Sequence, residues 1–120
     1  MYRVINKNIY LNRGDAVTIV LVNNSDTFKA NDYIKFRVCE QGDLLNVVLT
    51  KTVNIDAQHA GSEVKIELTS EDTRIGEPFK NGSRIYWYEI ELNGEITLVG
   101  YDNDGPKLFT IWPEAVEGGN

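Results

Sequence analysis

The sequence predicts an all-β protein, an antiparallel β-sandwich of about seven to nine strands in a single domain, residues 1–114. Three observations lead to this prediction. Apolar and polar residues alternate with a period of two in several short stretches, clusters of Asn, Asp and Gly separate those stretches, and no apolar stripe with helical spacing is present. A chain of 120 residues is also long enough to bury a core without cross-links.

The alternating stretches identify the predicted core. "AVTIVLV", "YIKFRVCE", "SEVKIELT" and "RIYWYEIEL" each place β-branched or aromatic residues on one parity. Successive side chains of a strand point to opposite faces of the sheet, so that parity is expected to face inward. The predicted core residues are Val17, Ile19, Leu21, Ile34, Phe36, Val38, Val64, Ile66, Leu68, Tyr86, Tyr88 and Ile90. By the same rule, Phe109 and Ile111 of "KLFTIW" point inward and Cys39 points outward.

Turn residues connect these strands. Asn93-Gly94 lies between "RIYWYEIEL" and "EITLVGY", and this dipeptide is typical of a type I′ hairpin turn. "DNDGP" (102–106) predicts a second turn before the last strand. "LTSEDTRIG" (68–76) has capping-box-like spacing between Thr69 and Asp72, so we expect at most one short helical turn near residues 69–75. Residues 115–120 are expected to form a flexible C-terminal tail.

One segment gives no clear sheet assignment. "LLNVVLTKTVNI" (44–55) carries apolar residues on both parities, and Lys51 shares the parity of Leu45, Val47 and Leu49. A bulge or a change of sheet near Thr50 would correct the parity.

The composition argues against several classes of function. The net charge is −6 with scattered lysines and arginines, which disfavours binding to nucleic acid. No apolar run approaches the length of a membrane span, and the first fifteen residues lack the apolar core of a signal peptide. One cysteine and one histidine exclude an internal disulfide and a Cys/His metal cluster, so no metal or other cofactor is expected.

Two short motifs are better explained as turns than as sites. Arg13-Gly14-Asp15 is the tripeptide that integrins recognise, but it lies between two predicted strands, where glycine supplies conformational freedom. "DNDG" begins like a calcium-binding loop. The sixth position of that loop is Lys107 and the twelfth is Pro113, where the EF-hand pattern requires glycine and glutamate.

No catalytic group of residues is evident, so the protein is predicted not to be an enzyme. His59 lies in a loop near Asp56 without a recognisable nucleophile, and is expected to face solvent. Glu71 and Asp72 are adjacent carboxylates in one turn. Cys39 has only Arg37 nearby to lower its pKa, so it is expected to be incidental.

Large outward residues are the strongest candidates for a binding surface. If Tyr86, Tyr88, Phe109 and Ile111 face the core, the intervening residues of the two strands face outward. These candidates are Ile85, Trp87, Leu108 and Trp112. Exposed tryptophan beside aliphatic residues is typical of a protein interface or a sugar-stacking platform. Alternatively, a loop or another layer of the protein covers them.

Several strand patterns together resemble a known family. "IYLNRGDAVTIVLV", "ANDYIKFRV", "VKIELTSEDTR" and "YWYEIELNGEITLV" are similar to segments of the N-terminal domain of the baseplate upper protein, and of its small relatives, from phages and prophages of Gram-positive bacteria. The resemblance extends from about residue 9 to residue 111. It departs from the family pattern at Asn31-Asp32, where Gly-Asp is common, and at Trp87 within the tyrosine-rich strand.

This resemblance implies an immunoglobulin-like sandwich that acts as a structural module of a phage or prophage tail. It implies binding to other virion proteins, with further copies of itself as a second kind of partner, assembly in the bacterial cytoplasm and a final location in the virion tail. It also implies that the Arg-Gly-Asp turn is a recurring hairpin feature. The alternative function is a carbohydrate-binding or adhesion module that uses Trp87 and Trp112.

Overall fold

A computed structural model describes residues 2–23, 26–79 and 81–114. The described residues contain nine strands and no helix. The strands are β1 (Arg3–Ile5), β2 (Asn8–Asn12), β3 (Val17–Val22), β4 (Tyr33–Glu40), β5 (Asp43–Asn54), β6 (Glu63–Leu68), β7 (Arg84–Leu92), β8 (Ile96–Val99) and β9 (Lys107–Trp112). The predicted all-β class and strand number are confirmed. The predicted tail, residues 115–120, lies outside the described residues.

The strands form two sheets of unequal size. The larger has the order β1-β2-β9-β7-β4-β5, with β8 also pairing with β7, and the smaller contains β3 and β6. All pairings are antiparallel except β2–β9, which is parallel, so the prediction of an entirely antiparallel fold is wrong at this pair. The cause is topological: after β2 the chain crosses to the smaller sheet, and β9 returns beside β2 from the other end of the sequence.

The core lies between the two sheets and matches the predicted faces. The inward residues of both sheets join one apolar cluster, which includes Ile19 and Ile66 from the smaller sheet and Phe36 from the larger. Eleven of the twelve predicted core residues are buried, and Leu21 is half-buried at the margin of the cluster. Phe109 and Ile111 are buried, as predicted.

Residues 44–54 of this segment belong to a single edge strand, β5, which pairs with β4, and Ile55 directly follows it. Val38 pairs with Leu49 but Cys39 pairs with Val47, so Val48 is an extra residue on β5. This bulge reverses which side chains of β5 face inward, and it lies two residues before Thr50, near which the change was predicted. Lys51 lies opposite Phe36, and its amine reaches Asp72 Oδ2 at 2.9 Å in the turn that follows β6.

Cys39 points outward, as predicted, but it is not exposed. It faces away from the main core, opposite Trp87 of β7, but it is completely buried. Its Sγ lies 3.4 Å from the Leu44 carbonyl oxygen, because β5 loses its regular register beside it. Burial raises the pKa of the Cys39 thiol, which makes it a poor nucleophile.

The turns predicted at Asn93-Gly94 and after β6 are present, and each is formed by the backbone geometry or hydrogen bonds that its sequence predicts. Asn93 and Gly94 have φ values of 55° and 69°, as a type I′ turn requires, and Glu95 N donates to Leu92 O. In the turn after β6, Thr69 N donates to Asp72 Oδ2 and Asp72 N donates to Thr69 Oγ1. These are the reciprocal bonds of a capping box, here closing a turn that does not continue into a helix.

Removing the Phe36 ring tests this core. Phe36 is fully buried and packs against Tyr88 and Phe109, with ring centroids 5.6 and 6.0 Å away. Phe36→Ala is expected to lower the free energy of unfolding by about 3–5 kcal/mol, because it leaves a cavity between three strands. Urea denaturation measures this. The matched control is Leu45→Ala at an exposed position, which should change stability by less than about 0.5 kcal/mol.

Candidate binding surface

The four predicted outward residues lie together on the outer face of the larger sheet, and we call Ile85, Trp87, Leu108 and Trp112 the outer patch. Their proximity follows from strand register: Trp87 of β7 pairs with Leu108 of β9, and Ile85 pairs with Thr110. Ile85 and Trp112 are 39% and 40% exposed, whereas Trp87 and Leu108 are half-buried. The outer patch therefore has a partly covered end, Trp87 and Leu108, and an accessible end, Ile85 and Trp112.

Tyr101 provides much of the cover. Its ring meets the Trp87 ring edge to face, with centroids 5.7 Å apart, and its own surface is 62% exposed. The Trp87 Nε1 atom is buried and has no hydrogen-bond acceptor among the described residues. A buried N–H group without an acceptor lowers the stability of the folded state, and the packing of Tyr101 on Trp87 acts against this loss. The sequence left open that a loop covers the outward residues. Tyr101 covers part of Trp87 in this way, whereas Trp112 stays exposed.

Backbone bonds fix the position of Trp112 at the end of β9. Trp112 pairs with Asn12 of β2, and the Trp112 carbonyl accepts a hydrogen bond from Arg13 N at 2.8 Å. Asn12 Nδ2 donates to the Pro113 carbonyl at 3.1 Å. The exposed indole therefore projects from a well-connected backbone, which lowers the entropic cost of using it as a contact residue.

The same face becomes charged beyond the outer patch. Glu89 and Glu91 follow Trp87 on the outward parity of β7, and Arg37 of β4 lies across from them. Arg37 Nη2 contacts Glu89 Oε1 at 2.8 Å and Glu91 Oε1 at 2.7 Å. Lys35 of β4 lies opposite Glu91, so two basic and two acidic residues share this part of the face. The outer face thus combines an apolar end with a charged end.

The Arg13-Gly14-Asp15 segment is a turn, as predicted. Asp15 N donates to Asn12 O at 3.1 Å, and Gly14 has a φ of 86°. The Arg13 side chain is buried, and its Nη1 donates to the Ile75 carbonyl at 2.9 Å. A receptor that recognises this tripeptide needs its arginine exposed. The geometry therefore favours a structural role in connecting the two sheets.

The remaining polar motifs form local turns. In "DNDG", Asp102 and Gly105 exchange backbone bonds, and the Lys107 amine contacts Asp102 Oδ1 at 2.7 Å. Lys107 holds the pKa of Asp102 below its usual range, and Lys7 adds a smaller effect. His59 Nδ1 lies 2.6 Å from Asp56 Oδ1 on an exposed loop, as expected for a solvated histidine. Among the described residues, no three His, Cys, Asp or Glu side chains are grouped to hold a metal.

Sequence reasoning missed Tyr101 and two apolar surfaces away from the outer patch. Tyr101 follows a glycine after β8, and no local pattern indicates that it folds back onto β7. The side chains of Leu44 and Leu45 project from the start of β5, and an apolar cleft opens beside β1 and β3. The apolar residues on both parities of the segment 44–55 were the sequence feature that could have indicated the exposed Leu44 and Leu45.

Comparison of the chain with protein-family models, curated proteins and solved structures finds no significant match. No helix among the described residues is long and apolar enough to span a membrane.

Replacing Gly14 separates backbone strain from steric conflict. A Cβ atom on Gly14 would lie 2.7 Å from Glu114 Oε1 and 2.8 Å from Arg74 Nη2, and these two side chains form an ion pair. Gly14→Ala is expected to destabilise by roughly 2 kcal/mol, of which roughly 1 kcal/mol reflects the left-handed backbone. Thermal and urea denaturation measure the loss.

Gly42→Ala is the matched control for this variant. Gly42 has a similar φ of 82°, but its Cβ would meet no atom within 4 Å. Equal losses in the two alanine variants would show that the Arg74–Glu114 pair moves aside without cost.

Proposed function

We propose that this chain is a non-enzymatic structural protein of a phage or prophage tail, similar to a baseplate component, and that it acts through protein–protein contacts. The observation that carries the proposal is the outer patch. Large apolar side chains from two adjacent strands are gathered on the solvent side of a seven-stranded sheet.

The outer patch has the properties of an interface centre. Ile85 and Trp112 form the accessible end of the patch, next to the half-buried pair of Trp87 and Leu108, so a partner that covers this end and extends over the pair would remove the whole patch from water. Tryptophan and tyrosine dominate binding energy when they are desolvated at the middle of an interface. Tyr101 extends the patch with a third aromatic ring. The charged group of Arg37, Glu89 and Glu91 would lie at the rim, where charges fix the orientation of a partner more than they add affinity.

The phage-tail setting is supported by the strand-pattern resemblance. A virion component of this kind would be assembled in the bacterial cytoplasm and then remain in the tail. Its negative charge disfavours contact with packaged nucleic acid and leaves other virion proteins, or further copies of itself, as partners.

A carbohydrate-binding or adhesion module is the alternative, and the exposed ring of Trp112 is the observation in its favour. A sugar platform also needs polar groups beside the ring. The amide of Asn12, which is next to Trp112, is already bonded to the Pro113 carbonyl, and the Trp87 ring is partly covered by Tyr101. These contacts favour a protein partner over a sugar.

Variants of the outer patch test this proposal in a pull-down from a phage lysate. The purified, immobilised protein is expected to retain a virion protein, identified by mass spectrometry. Ile85→Asp and Trp112→Ala should each weaken its binding by tenfold or more, since truncating one of the few residues that dominate an interface costs about 2 kcal/mol.

Ile96→Asp is the matched control, because Ile96 is 53% exposed on β8 and lies outside the outer patch. It should bind like the parent protein. A glycan array provides the second arm. Specific glycan binding that Trp112→Ala abolishes, together with recovery of no virion protein, would replace the structural proposal by the carbohydrate module.

A further inference from the structure

The β4–β5 hairpin ends in an apolar projection, which we call the tip, residues 40–47. Cys39 pairs with Val47 and Glu40 with Asp43, so residues 44–46 of β5 have no partners on β4. Leu45 is 94% exposed, and Leu44 and Val47 are also exposed. An Asp43 carboxylate oxygen accepts the Leu45 N–H at 3.1 Å, which shapes the backbone of this excursion. Irregular strand segments of this type commonly re-aim a side chain.

An apolar cleft of about 560 Å³ lies on another part of the molecule. It opens between the sheets, because the two-stranded sheet covers only part of the seven-stranded one. Its lining includes Tyr2, Val4, Val20, Val22, Leu98 and Val99. Val4, Val20 and Val22 are each about half exposed. The Tyr88 hydroxyl donates to the Lys7 carbonyl and so holds the β1–β2 turn at the wall of the cleft.

The tip and the cleft lie at opposite edges of the larger sheet. In the order β1-β2-β9-β7-β4-β5, the tip belongs to the last strand, and β1 at the first position contributes Val4 to the cleft. One molecule is therefore unable to fill its own cleft with its own tip. A contact between two different surfaces of identical copies is heterologous, and it generates a ring or a filament.

The charges of the two surfaces are complementary. Residues 38–50, which include the tip, carry Glu40 and Asp43 and no basic residue. Residues 2–12, which form the β1–β2 side of the cleft, carry Arg3 and Lys7 and no acidic residue, and Lys7 lines the cleft itself. A chain with a net charge of −6 repels its own copies in most orientations. The approach of the acidic tip to the basic β1–β2 hairpin is favoured over those orientations.

We propose that the tip of one copy inserts Leu44 and Leu45 into the cleft of the next copy, which gives head-to-tail self-association. This inference deepens the proposed function and rests on it in one respect, namely that the chain works as a module repeated in an assembly. The contact would bury Leu45, the most exposed leucine of the described residues, and would cover the cleft in the same step. It uses the sheet edges and leaves the outer patch free for another virion protein.

Sedimentation velocity of the purified protein over a concentration series tests the contact. The parent protein should form dimers and higher oligomers as its concentration rises. Leu45→Asp and Val20→Asp should each weaken self-association by roughly tenfold or more. Both positions are exposed, and Val20 pairs with Lys65, which accommodates an aspartate, so the variants should fold. Thermal denaturation checks this.

A mixture of the two variants gives the decisive result. Leu45→Asp keeps an intact cleft and Val20→Asp keeps an intact tip, so together they should form a dimer that does not grow further. A parent protein that stays monomeric up to about 1 mM would overturn the proposal, since even weak specific contacts appear in that range. Failure of the mixture to dimerise, where the parent protein associates, would overturn it too.

Ile85→Asp is the control that separates this inference from the proposed function. This variant should self-associate like the parent protein but lose the virion partner. Leu45→Asp should lose self-association but still bind the virion partner, when binding is measured at concentrations at which the protein is monomeric. Normal self-association of Leu45→Asp would show that the tip is not the contact, whatever the pull-down finds.

Discussion

The packing of Phe36 against Tyr88 and Phe109 is the interaction on which the rest of this structure depends. The three rings come from β4, β7 and β9, which are adjacent in the larger sheet. Because side chains alternate across a strand, turning these rings inward fixes the parity of all three strands. Trp87 and Leu108 are then forced outward as neighbours. The outer patch is thus a direct consequence of how the core is packed.

The sequence predicted most of what local pattern controls. The inward faces of β3, β4, β6 and β7 follow from alternation, and the Asn93-Gly94 hairpin follows from the positive φ that its turn requires. The four members of the outer patch were found by the same parity rule, because they lie on regular strands. Their proximity was not predictable from alternation alone, since it depends on the register between β7 and β9.

The errors arise where contacts distant in sequence decide the structure. The parallel pairing of β2 with β9 joins residues about 100 positions apart, and no turn motif signals it. Cys39 is outward by parity, as predicted, but its burial depends on Trp87 across the strand and on the irregular start of β5. Tyr101 meets Trp87 only because β8 returns the chain beside β7. Alternation gives the direction of a side chain and not what covers it.

The unequal sizes of the two sheets explain why the candidate binding sites of this fold are exposed surfaces and not an enclosed pocket. A two-stranded sheet protects the centre of the seven-stranded one, where Phe36 lies, but it leaves an open side next to β1. Exposed strand edges invite pairing with other chains unless they are short, charged or covered. Here β1 is three residues long and begins with Arg3, whereas β5 is long and has two exposed leucines directly after its first residue, Asp43. A short basic edge and a long apolar one are protected to different degrees, and this asymmetry favours contact between unlike edges over contact between like ones.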